Sequence, residues 1–304
     1  MSTLSYFINQ LDNLDPKLYE PLAAVSWGRD IMLRPGVSMS HESTSFIRSS
    51  FASTGTQRAN GKPWITAKTT VLPGISIDGQ LLSKPIRLLG NQLSYTSVEL
   101  ERSQLLGQSL DVAQFSAMNR MYQMHTDEMV YIGDEDTGSK GLLNSTEINV
   151  GPVTGGAWAS ASADVILAQV DEMLRTAWAA SGYAICPNKI LLPPTKFAFI
   201  ASKIVSAAGD KSILTYLEEN SIALRNNGTP LEIRPAKYLA GRGVAGSDRM
   251  VAYTNNVDYV RFPMVPVRRE TPYTLGISFN APYIWAYGEL EIVYPETLIY
   301  RDGI

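Results

Sequence analysis

The sequence predicts an α+β fold divided between an elongated body and a compact one. Three observations predict it. A polar, strand-like segment comes early, and a long helical stripe follows it. From about residue 157 helices alternate with short strands, and after residue 257 the chain turns strand-like again. The length of 304 residues is too great for one small core and suits about two domains.

The early segment, residues 35–80, is the anomaly. Of its 46 residues 14 are hydrophobic and another 14 are Ser or Thr, and glycines and prolines punctuate it. Runs such as 44–51 and 64–72 are rich in Thr, Ile, Val and aromatics, which predicts a long β-ribbon with a polar tip near 55–61. A lone two-stranded ribbon is marginal in water. It has too little apolar surface to offset the entropy of ordering it. The apolar residues Phe46, Ile47, Phe51, Trp64 and Ile65 are therefore expected to be buried by something outside this domain.

The next element opens on Thr96-Ser97-Val98-Glu99, which has the form of a capping box. Leu106, Leu110, Ala113, Ala117, Met121 and Met124 follow at helical spacing and predict one buried stripe on a helix that ends near Tyr131, with a break at Gly107. The turn Gly133-Asp134-Glu135-Asp136-Thr137-Gly138 stops it. In the compact part Ser162 is placed to cap a helix through Ala180, with Gly182 as its stop. Residues 189–192 read as a short buried strand, Pro193-Pro194-Thr195 as a helix start, and Asp210 as the cap of a helix over 211–220. Strands are expected at 231–234, 249–253, 260–262, 273–279, 283–287 and 290–294.

Composition excludes several functions. The chain is 45% hydrophobic and 18% charged, as folded proteins are, and its net charge of −3 comes without any long Lys/Arg run, which argues against a tight nucleic-acid groove. No apolar run is long enough to span a bilayer, and no signal peptide is expected at the start. The single cysteine, Cys186, reads as a small buried hydrophobe. With only His41 and His125, in unrelated contexts, a histidine metal site or a Ser/His/Asp triad has almost nothing to draw on. Asp127, Glu128, Asp134 and Asp136 lack the spacing of a calcium loop and read as a solvated turn. Gly241-Arg242-Gly243-Val244-Ala245-Gly246 matches the dinucleotide pattern in letters, but it leads into a strand rather than a helix and reads as a flexible loop. No catalytic residue, cofactor or metal is expected. A chain with the size of an enzyme, little of its equipment and an unsupported ribbon points to assembly.

Several stretches carry a resemblance. Glu99-Leu100 is followed by Asp127-Glu128-Met129-Val130-Tyr131-Ile132-Gly133-Asp134, then Thr137-Gly138 and Gly141-Leu142-Leu143-Asn144. Ile190-Leu191-Leu192-Pro193-Pro194 precedes Leu214-Thr215-Tyr216-Leu217-Glu218-Glu219-Asn220. The chain closes on Tyr294-Pro295-Glu296-Thr297 and Tyr300-Arg301-Asp302-Gly303-Ile304. In this order the parts resemble the major capsid proteins of tailed phages, with the Hong Kong 97-type fold also seen in encapsulin shells.

The resemblance implies an N-terminal arm (1–34), an extended β-ribbon loop (35–92), a peripheral domain with a spine helix (93–153 and 257–304) and an α/β axial domain (154–256). It implies self-assembly into pentamers and hexamers of an icosahedral head. The head would hold double-stranded DNA non-specifically and work with a portal and any scaffolding or decoration proteins. Assembly would occur in the host bacterial cytoplasm without a membrane, and the protein would reside in the virion. Arg29, Arg34, Arg48, Phe51, Arg58 and Trp64 are then expected at inter-subunit contacts. Gly241, Arg242, Gly243 and Gly246 are expected at the symmetry axis. Pro73-Gly74, Pro85 and Gly90 would be hinges that let the ribbon rotate as a precursor shell expands. An encapsulin-type compartment, a tail or baseplate protein, and a cytosolic α/β enzyme using the glycine loop are the alternatives.

Overall fold

The computed structural model describes residues 24–53, 74–105, 110–206, 209 and 211–304. A one-turn helix α1 (Trp27–Asp30) and strand β1 (Met32–Leu33) begin it. The chain runs out along β2 (Ser43–Ser53), returns along β3 (Ile75–Thr96), and enters helices α2 (Ser97–Leu105) and α3 (Leu110–Tyr131). Strand β4 (Asn149–Pro152) leads to α4 (Ala163–Ala180), β5 (Lys189–Leu192), α5 (Pro194–Ser202), α6 (Ile213–Asn220), α7 (Ile222–Asn227), β6 (Glu232–Pro235) and β7 (Arg249–Tyr253). The return is all strand: β8 (Val260–Phe262), β9 (Met264–Arg269), β10 (Tyr273–Leu275), β11 (Ser278–Gly288), β12 (Glu291–Ile292) and β13 (Ile299–Asp302).

Strand β3 organises the elongated body. Its 22 residues reach about 70 Å at strand rise. The outer half pairs antiparallel with β2, from Ser53↔Ile75 to Ser43↔Pro85, and the inner half pairs with β11, from Gly288↔Ile86 to Ser278↔Thr96. The change of partner falls at Pro85, which has no N–H to give to either ladder. Ile86 N–H donates to Glu42 O at 2.9 Å and closes the junction. The return strand of the ribbon is therefore β3, while the expected strand 64–72 and the tip at 55–61 lie outside the described residues.

Pro85 and Gly90, expected as hinges, sit inside this unbroken strand. A Cβ at Gly90 would lie 3.0 Å from Tyr283 O and 3.3 Å from Ile284 Cγ2, so the glycine serves a close approach of β11. Gly90→Val is expected to lower stability by about 1–3 kcal/mol, measured by urea unfolding, because the neighbours are backbone and a packed side chain.

The capping box forms as expected. Thr96 N–H donates to Glu99 Oε2 at 2.9 Å, and Glu99 N–H donates to Thr96 Oγ1 at 3.2 Å. The break at Gly107 falls outside the described residues. Helix α3 buries Met118, Tyr122, Thr126 and Val130, at steps of four, against β11. There Tyr122 lies 5.6 Å edge-on to Trp285 and 6.0 Å from the Tyr287 ring. The expected stripe is corrected by this face: Met121 and Met124 are exposed.

In the compact body five strands lie in the order β4-β13-β7-β5-β6. All residues of β5, β7 and β13 are buried, because the sheet is a wall between two cores. Ile190, Leu192, Ile233, Met250, Ala252 and Ile299 face the helices α4 to α7. Leu191, Val251, Tyr253 and Tyr300 face the elongated body with Tyr131, Leu142 and Phe262. The C-terminal strand β13, expected with the peripheral part, thus pairs with β7 and β4 in the compact sheet. Its apolar residues fit a position buried on both faces.

Two helix starts differ from expectation. Ser162 occupies the cap of α4, yet its hydroxyl makes no capping bond. Helix α6 is capped by Ser212, whose Oγ accepts from Thr215 N–H at 3.3 Å, and Asp210 lies outside the described residues. A small sheet β1-β8-β12 ties the root of the ribbon to the body.

Candidate assembly surfaces

The ribbon register sorts its side chains by face. Ile47 stands opposite Leu81 and Phe51 opposite Ile77, and the two-residue period puts all four on one side. They are large, apolar and open: Phe51 is 84% exposed and Ile77 74%. Thr44, Phe46 and Arg48 point to the other side, toward the body. Beyond Arg48 the ribbon leaves the body, and residues 49–51 and 74–81 are exposed. An apolar stripe, interrupted only by the Ser49–Gly79 pair, on a structure this thin has nothing of its own to pack on.

The arginines expected at neighbouring subunits make bonds inside the chain and keep part of their surface open. Arg29 forks onto Asp30 with both distances 2.7 Å and donates to Pro235 O at 2.9 Å. Arg34 pairs with the buried Glu291 and donates to Ser45 O at 3.1 Å. Arg48 donates to Ile292 O at 2.7 Å, Val293 O at 2.9 Å and Glu147 Oε2 at 2.9 Å. The physical reason is supply: the buried carboxylates of Asp30 and Glu291 and the carbonyls of Pro235, Ile292 and Val293 need donors. Of the expected contact residues, Phe51 alone stands free among the described ones; Arg58 and Trp64 lie outside them.

A second feature had no warning in the sequence. The two bodies meet at a buried polar seam around Asp30. Its carboxylate takes the Arg29 fork, the Tyr131 hydroxyl and, at 3.1 Å, the Lys189 ammonium. Lys189 is 1% exposed and also reaches Arg29 O at 2.7 Å and Glu232 at 3.0 Å. Tyr253 donates to Asp30 O at 2.6 Å.

Next to it the Asp127 carboxylate accepts Ser26 N–H at 2.8 Å and Trp27 N–H at 3.0 Å and pairs with Lys237 at 2.9 Å. Burial pushes the Asp30 carboxyl up, but Arg29, Tyr131 and Lys189 outweigh it and hold the group below the usual aspartate range. Burial, reinforced by the Asp30 charge, drives the Tyr131 phenol up. These groups grip the segment before β1 from α3, β5 and β7 at once. Further along the same face of the sheet Arg249 forks onto Asp302 at 2.7 and 2.9 Å, and on the helix face Arg301 pairs with Glu172 at 3.0 Å.

The glycine loop is closed by hydrogen bonds of its own amides. Gly241 N–H donates to Asp248 Oδ1 at 3.1 Å, Gly243 N–H to Ser247 O at 2.7 Å and Val244 N–H to Asp302 Oδ2 at 3.0 Å. Gly241, Ala245 and Gly246 take left-handed conformations. Strand β7 follows, so the amides are closed on the protein's own oxygens and no helix N-terminus faces a phosphate. Arg242 and Val244 are exposed at its crest.

The remaining chemistry-bearing residues lie apart. Cys186 is buried and its thiol is pushed up to about 11, chiefly by burial. His41 is exposed and accepts Ser38 N–H at 3.1 Å, while His125 is exposed on α3. In the acidic turn Asp136 N–H donates to Asp134 Oδ1, while Asp127 belongs to the seam. No group of three metal-ligating side chains comes together among the described residues. A groove of about 660 Å³ between α3 and β9–β11 is lined by Trp27, Phe115, Tyr122, Met264, Arg269 and Tyr283, without a nucleophile beside a base. No helix among the described residues is long and apolar enough to cross a membrane.

None of the curated proteins matches the sequence. Among solved structures, the fold is similar to the capsid of Myoviridae phage XM1, at TM-score 0.79 and 17% identity over 97% of this chain and 98% of that one. It is similar to Microbacterium phage Oxtober96 at TM-score 0.60 and 9% identity, covering 99% and 98%. The capsid of an empty GTA particle follows at TM-score 0.56 and 12% identity, covering 99% and 98%. The sequence itself matches the family described as major capsid protein over residues 61–304. An uncovered apolar ribbon, a two-body α+β fold and this match agree: the chain belongs to the major capsid protein family.

Proposed function

We propose that each subunit closes the shell by laying its ribbon across a neighbour, in pentamers and hexamers of an icosahedral head. The parts then take the roles of the Hong Kong 97-type plan. Residues 1–34 are the arm, the β2–β3 ribbon is the extended loop, and α3 is the spine. The sheet of β9 to β11 is the peripheral domain, and the β4-β13-β7-β5-β6 sheet with its helices is the axial domain. The crest at Arg242 and Val244 sits at the axis. The observation that carries this reading is the exposed stripe of Ile47, Phe51, Ile77 and Leu81. A closed symmetric shell covers it once per subunit and multiplies a modest contact over every copy.

The subunit works without catalysis. It packages double-stranded DNA through weak interior contacts, as a net charge of −3 suits. Portal, scaffolding and decoration proteins are its further partners, and assembly takes place in the host cytoplasm. The test is direct. Purified subunit, concentrated and viewed by negative-stain microscopy with parallel sedimentation, is expected to form hexamers, tubes or closed shells. A monomer at every concentration with affinity for nucleotides overturns the reading.

A further inference from the structure

The ribbon has two faces with different tasks, and the one turned to the body, which carries half-buried Phe46 and Leu82 beside its polar residues, is unclaimed by the assembly reading. On it Arg48 and Lys84 lie four register positions apart, since Lys84 pairs with Thr44. That spacing is about 13 Å along the ribbon. Both reach the same short stretch of body. Lys84 Nζ donates to Leu290 O at 2.7 Å, and Arg48 takes Ile292 O and Val293 O at 2.7 and 2.9 Å.

We infer that Arg48 and Lys84 are a pair of positioning residues that fix the angle of the ribbon against the body and thereby the curvature of the shell. This rests on the ribbon being the inter-subunit arm. The β11 ladder holds the root of β3, and two cationic anchors separated along the ribbon beyond it set the direction in which the outer part leaves the body. Beyond Arg48 the ribbon is exposed, so an angular error there is carried undamped to its apolar stripe. The anchors are charge-assisted bonds to backbone carbonyls, which are directional and bring no large apolar burial with them. The two tasks are thus separable: apolar residues hold the neighbour, and the cations aim the hold.

The test uses Arg48→Met with Lys84→Met, which keeps long apolar stems and removes the donors. Spin labels on Ser50→Cys and Glu296→Cys, both exposed positions, report the ribbon-to-body distance in the unassembled subunit, with the buried Cys186 left unlabelled. The parent is expected to give one narrow distance and the double variant a broad distribution, with the thermal melt unchanged. Arg48→Lys, retaining one donor, narrows it in part. In assembled material the double variant is expected to give mixed diameters and tubes where the parent gives one shell size. A single narrow distance in the double variant, or a lowered melt with unchanged shell size, overturns the inference. Failure of the parent itself to assemble counts instead against the shell reading, which the distance measurement does not depend on.

Discussion

Replacing Phe51 and Ile77 with aspartate is expected to give a subunit that folds normally and no longer assembles. Both side chains are open to solvent in the lone protomer, at 84% and 74%, so their loss removes little beyond the contact between the two across the ribbon. Exposed substitutions of this kind stay within about 0.5 kcal/mol of the parent. In the shell the account reverses. Covering a Phe and an Ile contributes about 1.5–3 kcal/mol each, and a charge forced into their place adds a desolvation cost. A loss of about 3–6 kcal/mol at each ribbon contact weakens it by roughly 10²- to 10⁴-fold. A closed shell repeats that loss in every subunit. Circular dichroism melts should superimpose on the parent, while sedimentation should show only small species. Shell formation at the parent's concentration would refute the assigned face.

The largest effect on folding is expected at Asp30. Asp30→Ala leaves the buried Lys189 with only the half-exposed Glu232 as counter-ion and removes the carboxylate that Arg29 and Tyr131 share. Breaking a buried pair from one side costs about 3–5 kcal/mol. The double variant Asp30→Ala with Lys189→Met removes both charges and is expected to recover part of the loss, the sign of a coupled pair. The pH dependence follows from the same group.

The Asp30 carboxyl is held below its ordinary value of about 4, so its contribution is complete above that value. It is lost as pH falls through the lower folded value. Glu172, lowered chiefly by Arg301, adds in the same direction. Glu232 does too: burial raises it, but Arg234 and Lys189 outweigh that. Tryptophan fluorescence during denaturant unfolding at pH 7 and below pH 4 should show the parent losing stability in acid. Asp30→Ala should lose less over the same range. An acid limb equally steep in the variant would place the titrating groups elsewhere.

Local signals in the chain were legible where a few neighbouring residues decide the outcome. The Thr96–Glu99 capping box, the stop at Gly182 and strand β2 close to 44–51 are of this kind. The helix over α3 was legible too, but not its buried face. Two apolar stripes share that helix, one through Ala117, Met121 and Met124, the other through Met118, Tyr122 and Val130. The aromatic surface of β11, distant in sequence, selects the second. For the same reason the pairing of 75–85 with β2 was not read from the sequence, since pairing is settled by register across the ladder.

The sequence by itself determined that a polar ribbon rich in β-branched and aromatic residues had to find burial outside its own domain. That conclusion needs only composition and the entropy of ordering a chain. The tertiary structure alone decided which residues meet the outside and which do not. It turned Arg29, Arg34 and Arg48 inward because carboxylates and carbonyls more than 90 positions away, or directly adjacent in a fixed pose, required donors. It placed Lys189, Arg249 and Arg301 in strands buried on both faces, where only partners brought by the fold make their charge tolerable. Pattern along a chain reports what a segment lacks; which groups supply it is a matter of three-dimensional proximity.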